Sequence, residues 1–126
     1  MTCDRCGTKG RRTKQVTVTT WPRFLVLHVR RWRISGEPPH VQTRKDGRHL
    51  AFPTELQCLP CAYGLRAVID HAGRTHGHGH YTCCANDRFG NWRDCSDSVS
   101  KPVEGFLALC KSAYLLFYEQ KIDGLA

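Results

Sequence analysis

No stretch of this sequence approaches the roughly 18 consecutive apolar residues that a membrane-spanning helix requires, so insertion into a bilayer is not expected. The opening residues MTCDRCGTKGRR also lack the apolar stretch of about 7 to 15 residues that follows the charges of a secretory signal. The expected location is therefore intracellular, cytoplasmic or nuclear, in a reducing compartment. No repeat of about 20 to 50 residues runs through the chain, which excludes a solenoid. Acidic residues are few: 11 Asp and Glu stand against 19 Lys and Arg, leaving a formal charge of +8. At 126 residues the chain has room for one domain, or one half of a larger one, around an ordinary core.

The positive excess gathers in Lys9 to Lys14, Arg30 to Arg33 and Arg44 to Arg48. Such runs can attract nucleic acid, but no nucleic-acid module is legible around them, and they read as solvated faces. Eight cysteines would suit a disulfide framework in a secreted protein; without a signal they read as thiols or metal ligands. Tetrahedral zinc needs four ligands. Cys3 with Cys6 and Cys58 with Cys61, both of C-x-x-C spacing, would supply four on paper. His71, His76, His78 and His80 with Cys83 form a rival set, which a glycine-rich loop leaves without fixed geometry.

Lys14 to Thr20 alternates polar and β-branched residues, and Arg23 to Val29 is almost continuously apolar, so both are predicted strands, separated by Trp21-Pro22. Ser35 to His40 is a predicted loop. Asp46-Gly47 is the predicted turn of a hairpin with arms Val41 to Arg44 and Arg48 to Phe52. Leu65 to Ile69 reads as a strand, His71 to His80 as a loop, and Tyr81 to Ala85 and Trp92 to Cys95 as strands joined by a turn at Asp87 to Asn91. Pro102 suits a helix start, with two turns over Val103 to Cys110. Ala113 to Tyr118 is a predicted buried last strand.

The strongest local signal is His80 at the end of the glycine loop, where a strand begins. An imidazole titrates near neutrality, so at the rim of a cleft it can take a proton from a thiol and return it to a leaving amine. The run Tyr63-x-Leu65-x-Ala67-Val68-Ile69-x-His71-x-Gly73, followed by Gly79-His80-Tyr81-Thr82, resembles the histidine box of the ubiquitin-specific proteases. The resemblance extends downstream through Trp92, Cys95, Ser96, Asp97 and the closing strand Ala113 to Glu119. Upstream, Pro22-x-x-Leu25-x-Leu27-His28-Val29-x-Arg31-Trp32 resembles the strand ending in Arg-Phe, Phe52-Pro53 the next landmark, and Cys3-x-x-Cys6-Gly half a zinc knuckle.

That resemblance implies an α+β, papain-like cysteine protease fold, mostly antiparallel palm and fingers with little helix. Residues 1–20 would be a fingers and zinc-knuckle remnant, 21–119 the palm with the histidine box, and 120–126 a tail. It implies thiol-dependent hydrolysis of the isopeptide bond at the ubiquitin C-terminus. His80 would be the general base, with Gly79, Tyr81 and Trp92 lining the substrate. Ser96 stands where the family carries an acidic or amide residue, and a hydroxyl brings no negative charge to an imidazolium. Asp97 could substitute only if the strand bulges or ends there, since alternation sends neighbours to opposite faces. No cofactor is required; zinc at Cys3 and Cys6 would need an upstream ligand pair. The implied partners are ubiquitin or a ubiquitinated protein and the missing N-terminal half of the domain.

The family's nucleophile lies in a Gly-Asn-Thr-Cys-Tyr box, and no such string occurs here. Cys83, Cys84, Cys95 and Cys110 follow His80 and read as structural thiols. With Met1 abutting the knuckle, the expectation is a truncated, excised or degenerate chain that is inactive alone. Two other readings stand beside it: a noncatalytic ubiquitin-binding scaffold, and a small zinc or nucleic-acid binder built on the C-x-x-C pairs and basic runs.

Overall fold

The structure, a computed structural model, describes residues 5–10, 13–58, 60–73, 78–87, 89–109 and 111–121. Its elements are β1 (Phe24–His28), β2 (Trp32–Ser35), β3 (Gln42–Lys45), β4 (Glu55–Cys58), β5 (Cys61–Ala72), β6 (His80–Asn86), β7 (Trp92–Ser96), β8 (Val99–Val103), α1 (Phe106–Leu109) and β9 (Ala113–Gln120). Seven of the described strands form one antiparallel sheet in the order β1-β9-β5-β6-β7-β8, with β4 on the free end of β5, and β2 and β3 make a separate ribbon. This is the expected mostly antiparallel fold with almost no helix. No helix among the described residues is long and apolar enough to cross a membrane.

The centre of the sheet is β5 and β9, the two strands richest in apolar and aromatic residues. Along β5 the buried residues run Tyr63, Leu65, Val68, then His71, so the period of two breaks twice. The first break is a bulge: Leu65 pairs with Tyr118 and Ala67 with Phe117, leaving Arg66 as the extra residue, and a second shift lies between Ile69 and Asp70. Its guanidinium turns outward to Glu119 Oε2 at 2.8 Å and Asn86 Oδ1 at 3.2 Å. Val68, Cys84, Leu116 and Ala108 of α1 close the core on one face. Two tyrosines seal its end, each with a hydroxyl that donates to a proline carbonyl: Tyr63 to Pro22 at 2.5 Å and Tyr118 to Pro53 at 2.7 Å.

Arg31 is the buried charge. Its Nε donates to Ala113 O at 2.8 Å, and its Nη1 donates to Asp46 O at 3.1 Å and to Arg48 O. Three carbonyls from two distant segments are thereby tied to one side chain, which fixes the base of the β2–β3 ribbon against the start of β9.

Several predicted elements need correction. Lys14 to Thr20 is not a strand: nothing among the described residues pairs with it, and Val16 stays 79% exposed. The hairpin at Asp46-Gly47 does not form either. β3 pairs with β2 instead, with Trp32 opposite Lys45 and Ser35 opposite Gln42, so the Ser35 to His40 loop is the hairpin connection. Asp46 is taken up by Arg48, whose amide and guanidinium both donate to its carboxylate. Pro102 lies in a strand, opposite Arg93, rather than starting a helix. β8 is the sheet's terminal strand, where a residue without an amide proton is tolerated. The helix is the single turn Phe106–Leu109, and Cys110 lies outside the described residues. The apolar runs from Arg23 and Ala113, the strand over Leu65 to Ile69 and the β6–β7 pair form as expected.

Two outcomes follow from this packing. Tyr118→Phe leaves the Pro53 carbonyl without its donor and should lower unfolding free energy by about 1 kcal/mol in urea titration, with unchanged slope. Stability should also fall in acid. Asp87 is held below its usual range by Asn91 and the turn amides, and Asp46 by Arg48. Burial raises Glu119, but the Arg23 and Arg66 guanidinium groups outweigh it and hold it low. Depressed carboxylates bind fewer protons folded than unfolded. The urea midpoint should therefore hold above the ordinary carboxylate range and drop as pH falls through about 4 towards the folded values.

Candidate active site

His80 opens β6 and Ser96 closes β7. Cys83 lies opposite Cys95 and Cys84 opposite Asp94, so alternation puts His80, Thr82, Cys84, Asp94 and Ser96 on one face and Tyr81, Cys83 and Cys95 on the other. His80 Nε2 and Ser96 Oγ lie 2.7 Å apart, a full hydrogen bond.

Strand alternation alone would send Asp97 to the opposite face. The strand instead stops at Ser96, and Asp97 is the first residue of the two-residue turn to Val99, with φ of 48°. Aspartate is among the few residues besides glycine that accept this left-handed conformation. The turn swings its carboxylate back, and Oδ2 stands 3.7 Å from His80 Nδ1. The imidazole is thus flanked on both nitrogens, by a neutral hydroxyl at bonding distance and a carboxylate at ion-pair distance. It remains 47% exposed, and Asp97 82%. An exposed pair of this kind contributes only about 0.2–1 kcal/mol.

The loop before His80 is anchored by His71. That ring is buried, receives Lys45 Nζ at 3.1 Å on Nδ1, and is ringed by Trp32, Tyr81 and Tyr114 at centroid distances of 5.9, 4.7 and 5.9 Å. Lys45 Nζ also donates to the His71 carbonyl. Gly79 lies against the ring: a Cβ there would come 2.0 Å from His71 Nε2 and 2.8 Å from Ala72 O. Only glycine fits. A cavity of about 640 Å³, lined by Arg44, Lys45, Asp70, His71, Gly73 and Ser112 among others, opens beside this anchor.

Of the residues predicted from sequence, His80, Ser96 and Asp97 come together, with Gly79 next to His80 in the chain, whereas Tyr81 turns to the other face, against His71 and Tyr114. Trp92 does not join them. It sits at the far end of β7, roughly 13 Å of extended chain from Ser96. There it is half-buried and backs onto Gly105, where a Cβ would meet its indole at 2.9 Å. Sequence reading missed Lys111, whose Nζ donates to Asp94 Oδ1 at 2.8 Å and Thr82 Oγ1 at 3.2 Å on the His80 face. No local spacing announces it, because its partners lie 17 and 29 residues away. Missed too was Lys45, whose strand the sequence assigned to another hairpin.

Burial pushes the thiols of Cys83 and Cys84 up, with smaller contributions from neighbouring anionic groups, so neither is a ready thiolate. Cys3 lies outside the described residues. Cys6 is exposed, with its sulfur 2.8 Å from Thr8 Oγ1. Among the described residues no group of three or more His, Cys, Asp or Glu side chains is placed to hold a metal. Cys3 and Cys6 are two of the four ligands a closed zinc site takes, so these residues do not fit zinc by themselves.

The sequence profile described as ubiquitin carboxyl-terminal hydrolase matches residues 1–118. Ubiquitin carboxyl-terminal hydrolase 44 of Danio rerio is 36% identical over 146 residues, covering 94% of this chain and 20% of the relative. Ubiquitin carboxyl-terminal hydrolase 2 of Gallus gallus is 32% identical over 128 residues, covering 94% and 34%. The chain thus spans between a fifth and a third of the length of these relatives. Among solved structures, the SAGA DUB module of Ubp8, Sgf11, Sus1 and Sgf73 bound to monoubiquitin is similar over 97% of this chain and 28% of the matched one. Its TM-score is 0.76 and its identity 27%.

Gly79→Ala should displace His71 or the loop. The expected result is a loss of about 1–3 kcal/mol in urea titration, with shifted His71 and His80 ring resonances in NMR. Unchanged spectra and stability would mean that Gly79 is not held against the ring.

Proposed function

The chain belongs to the ubiquitin carboxyl-terminal hydrolase family, and from that premise we propose that it supplies the histidine side of a thiol-dependent deubiquitinating site. The observation that carries this reading is the 2.7 Å bond between His80 Nε2 and Ser96 Oγ, at the mouth of the glycine loop. When the Nε2 proton is donated to Ser96, the Nδ1 lone pair is left to act as base. His80 Nδ1 takes the proton of a cysteine thiol contributed from outside these residues. The thiolate attacks the carbonyl carbon of the ubiquitin C-terminal glycine, the carbon–nitrogen bond breaks, and the lysine amine leaves with the proton from His80. Water then hydrolyses the thioester, with His80 again accepting a proton.

Ser96 orients the ring without adding charge. Asp97 stands beside the nitrogen that becomes protonated, so its carboxylate is the group that stabilises the imidazolium. Ubiquitin is the partner this reading requires, and a similar solved module binds monoubiquitin. The exposed apolar residues Val16, Val18, Phe24 and Val26 support a further segment of the same domain lying over this chain. A second reading, a ubiquitin-binding scaffold without chemistry, is favoured by one feature, the uncharged Ser96 in the third position.

The test is hydrolysis of a fluorogenic ubiquitin substrate by the chain alone and mixed with the N-terminal half of a related domain that carries the cysteine box. The chain alone should release nothing above buffer. The mixture should turn over, be blocked by a thiol alkylating agent, lose roughly 100-fold or more on His80→Ala, and lose rate on Asp97→Asn. Activity indifferent to His80→Ala would sink the catalytic reading. Retained ubiquitin binding in a mixture that never turns over would select the scaffold.

A further inference from the structure

We propose that Cys83 and Cys95 form an oxidative modification site, closing under a hydroperoxide into a cross-strand disulfide that acts on the adjoining His80–Ser96 pair. The disulfide stands independently of the catalytic reading; only its effect on turnover rests on it.

Cys83 and Cys95 are direct partners on adjacent antiparallel strands, and both are free thiols. Directly opposed residues in such a pair have Cα atoms about 4.5 or 5.5 Å apart, depending on the hydrogen-bonding site, and share one face of the sheet. Both separations fall within the roughly 4.4–6.8 Å that a disulfide spans. Both thiols are only half-buried, so a small oxidant and a reductant can reach them. Cys84, next in the chain, is fully buried on the opposite face and pairs with Asp94, which leaves it without a sulfur partner.

The surroundings of the two sulfurs differ and set an order of events. Cys83 is kept protonated by burial, and Cys95 nearby adds to the effect. Cys95 Sγ lies 3.3 Å from Ser100 Oγ. That hydroxyl already accepts Arg93 Nε at 2.9 Å, so its own proton is available to the sulfur. Cys95 as thiolate attacks one oxygen of the hydroperoxide: a sulfur–oxygen bond forms, the oxygen–oxygen bond breaks, and the other oxygen leaves as alkoxide and is protonated. The Cys83 sulfur then attacks the Cys95 sulfenic acid. A sulfur–sulfur bond forms, the sulfur–oxygen bond breaks, and hydroxide departs with the Cys83 proton as water. Two thiols are oxidised and one hydroperoxide is reduced to an alcohol and water.

The consequence for the site is geometric. Cys95 directly precedes Ser96, whose hydroxyl holds His80 Nε2. Fixing the Cys95 backbone to β6 constrains the residue that orients the imidazole.

The experiment uses the full chain carrying Cys58→Ser and Cys61→Ser, because those two cysteines form the other opposed pair among the described residues. After brief treatment with hydrogen peroxide, free thiols are alkylated and the unreduced digest is mapped by mass spectrometry. A Cys83–Cys95 cross-link lighter by two hydrogen atoms is expected, reversed by dithiothreitol. It should be absent in Cys95→Ala, with Cys83 then fully alkylated, and retained in Cys84→Ala. The His80 ring nitrogen resonances should move on oxidation and return on reduction. Cys95 reaching the sulfinic state while Cys83 stays alkylatable would overturn the site, as would bridges spread among several cysteines. A bridge that leaves the His80 resonances unmoved would overturn its action on the pair.

Discussion

The register of β6 against β7 decides which side chains share the sheet face that carries His80. With Cys83 opposite Cys95, the imidazole of His80 and the hydroxyl of Ser96 share a face and meet at 2.7 Å. A slip of one residue would send one of them to the far side of the sheet, because side chains alternate with a period of two. Two anchors hold that register. On the site face, Lys111 bridges Thr82 of β6 and Asp94 of β7. Across the hairpin connection, Asp87 accepts the amides of Phe89 and Asn91 and the side-chain amide of Asn91, closing the turn on one carboxylate.

The histidine is served unequally on its two sides. Ser96 can fix the ring but carries no charge, and Asp97 carries charge but stands beyond hydrogen-bond reach of Nδ1. A hydroxyl and a carboxylate thus reach this imidazole from two neighbouring residues rather than from one. That arrangement depends on backbone conformation. Asp97 reaches the ring because it adopts a left-handed turn, and a β-branched residue at that place would meet a steric penalty.

Beneath the site, charge is buried only where the backbone can receive it. Arg31 spends its donors on carbonyls at 113, 46 and 48, while its Nη2 has no partner among the described residues. A buried guanidinium without a carboxylate costs desolvation energy that three carbonyl bonds partly offset. What that arrangement secures is position: the β2–β3 ribbon, and with it Lys45, is held where it can donate to His71. His71 in turn backs Gly79 and sets the height of the loop from which His80 emerges.

Local pattern along the chain accounts for the features that could be read before folding. The apolar runs at β1 and β9, the glycine-rich break before His80, the turn chemistry at Asp87 and the order of motifs from Tyr63 to Tyr118 carry their information within a few residues. Alternation and turn preferences act on that scale. The errors fell where pairing is nonlocal. Lys14 to Thr20 has the composition of a strand but no partner among the described residues, Asp46-Gly47 has the letters of a hairpin but its carboxylate is captured by Arg48, and Pro102 depends on β8 being an edge. The folded arrangement alone places Trp92 away from His80, brings Lys111 and Lys45 to the supports around it, and swings Asp97 back to the imidazole. Each is a contact between segments far apart in sequence or a choice of backbone angle at one residue, and no periodicity encodes either.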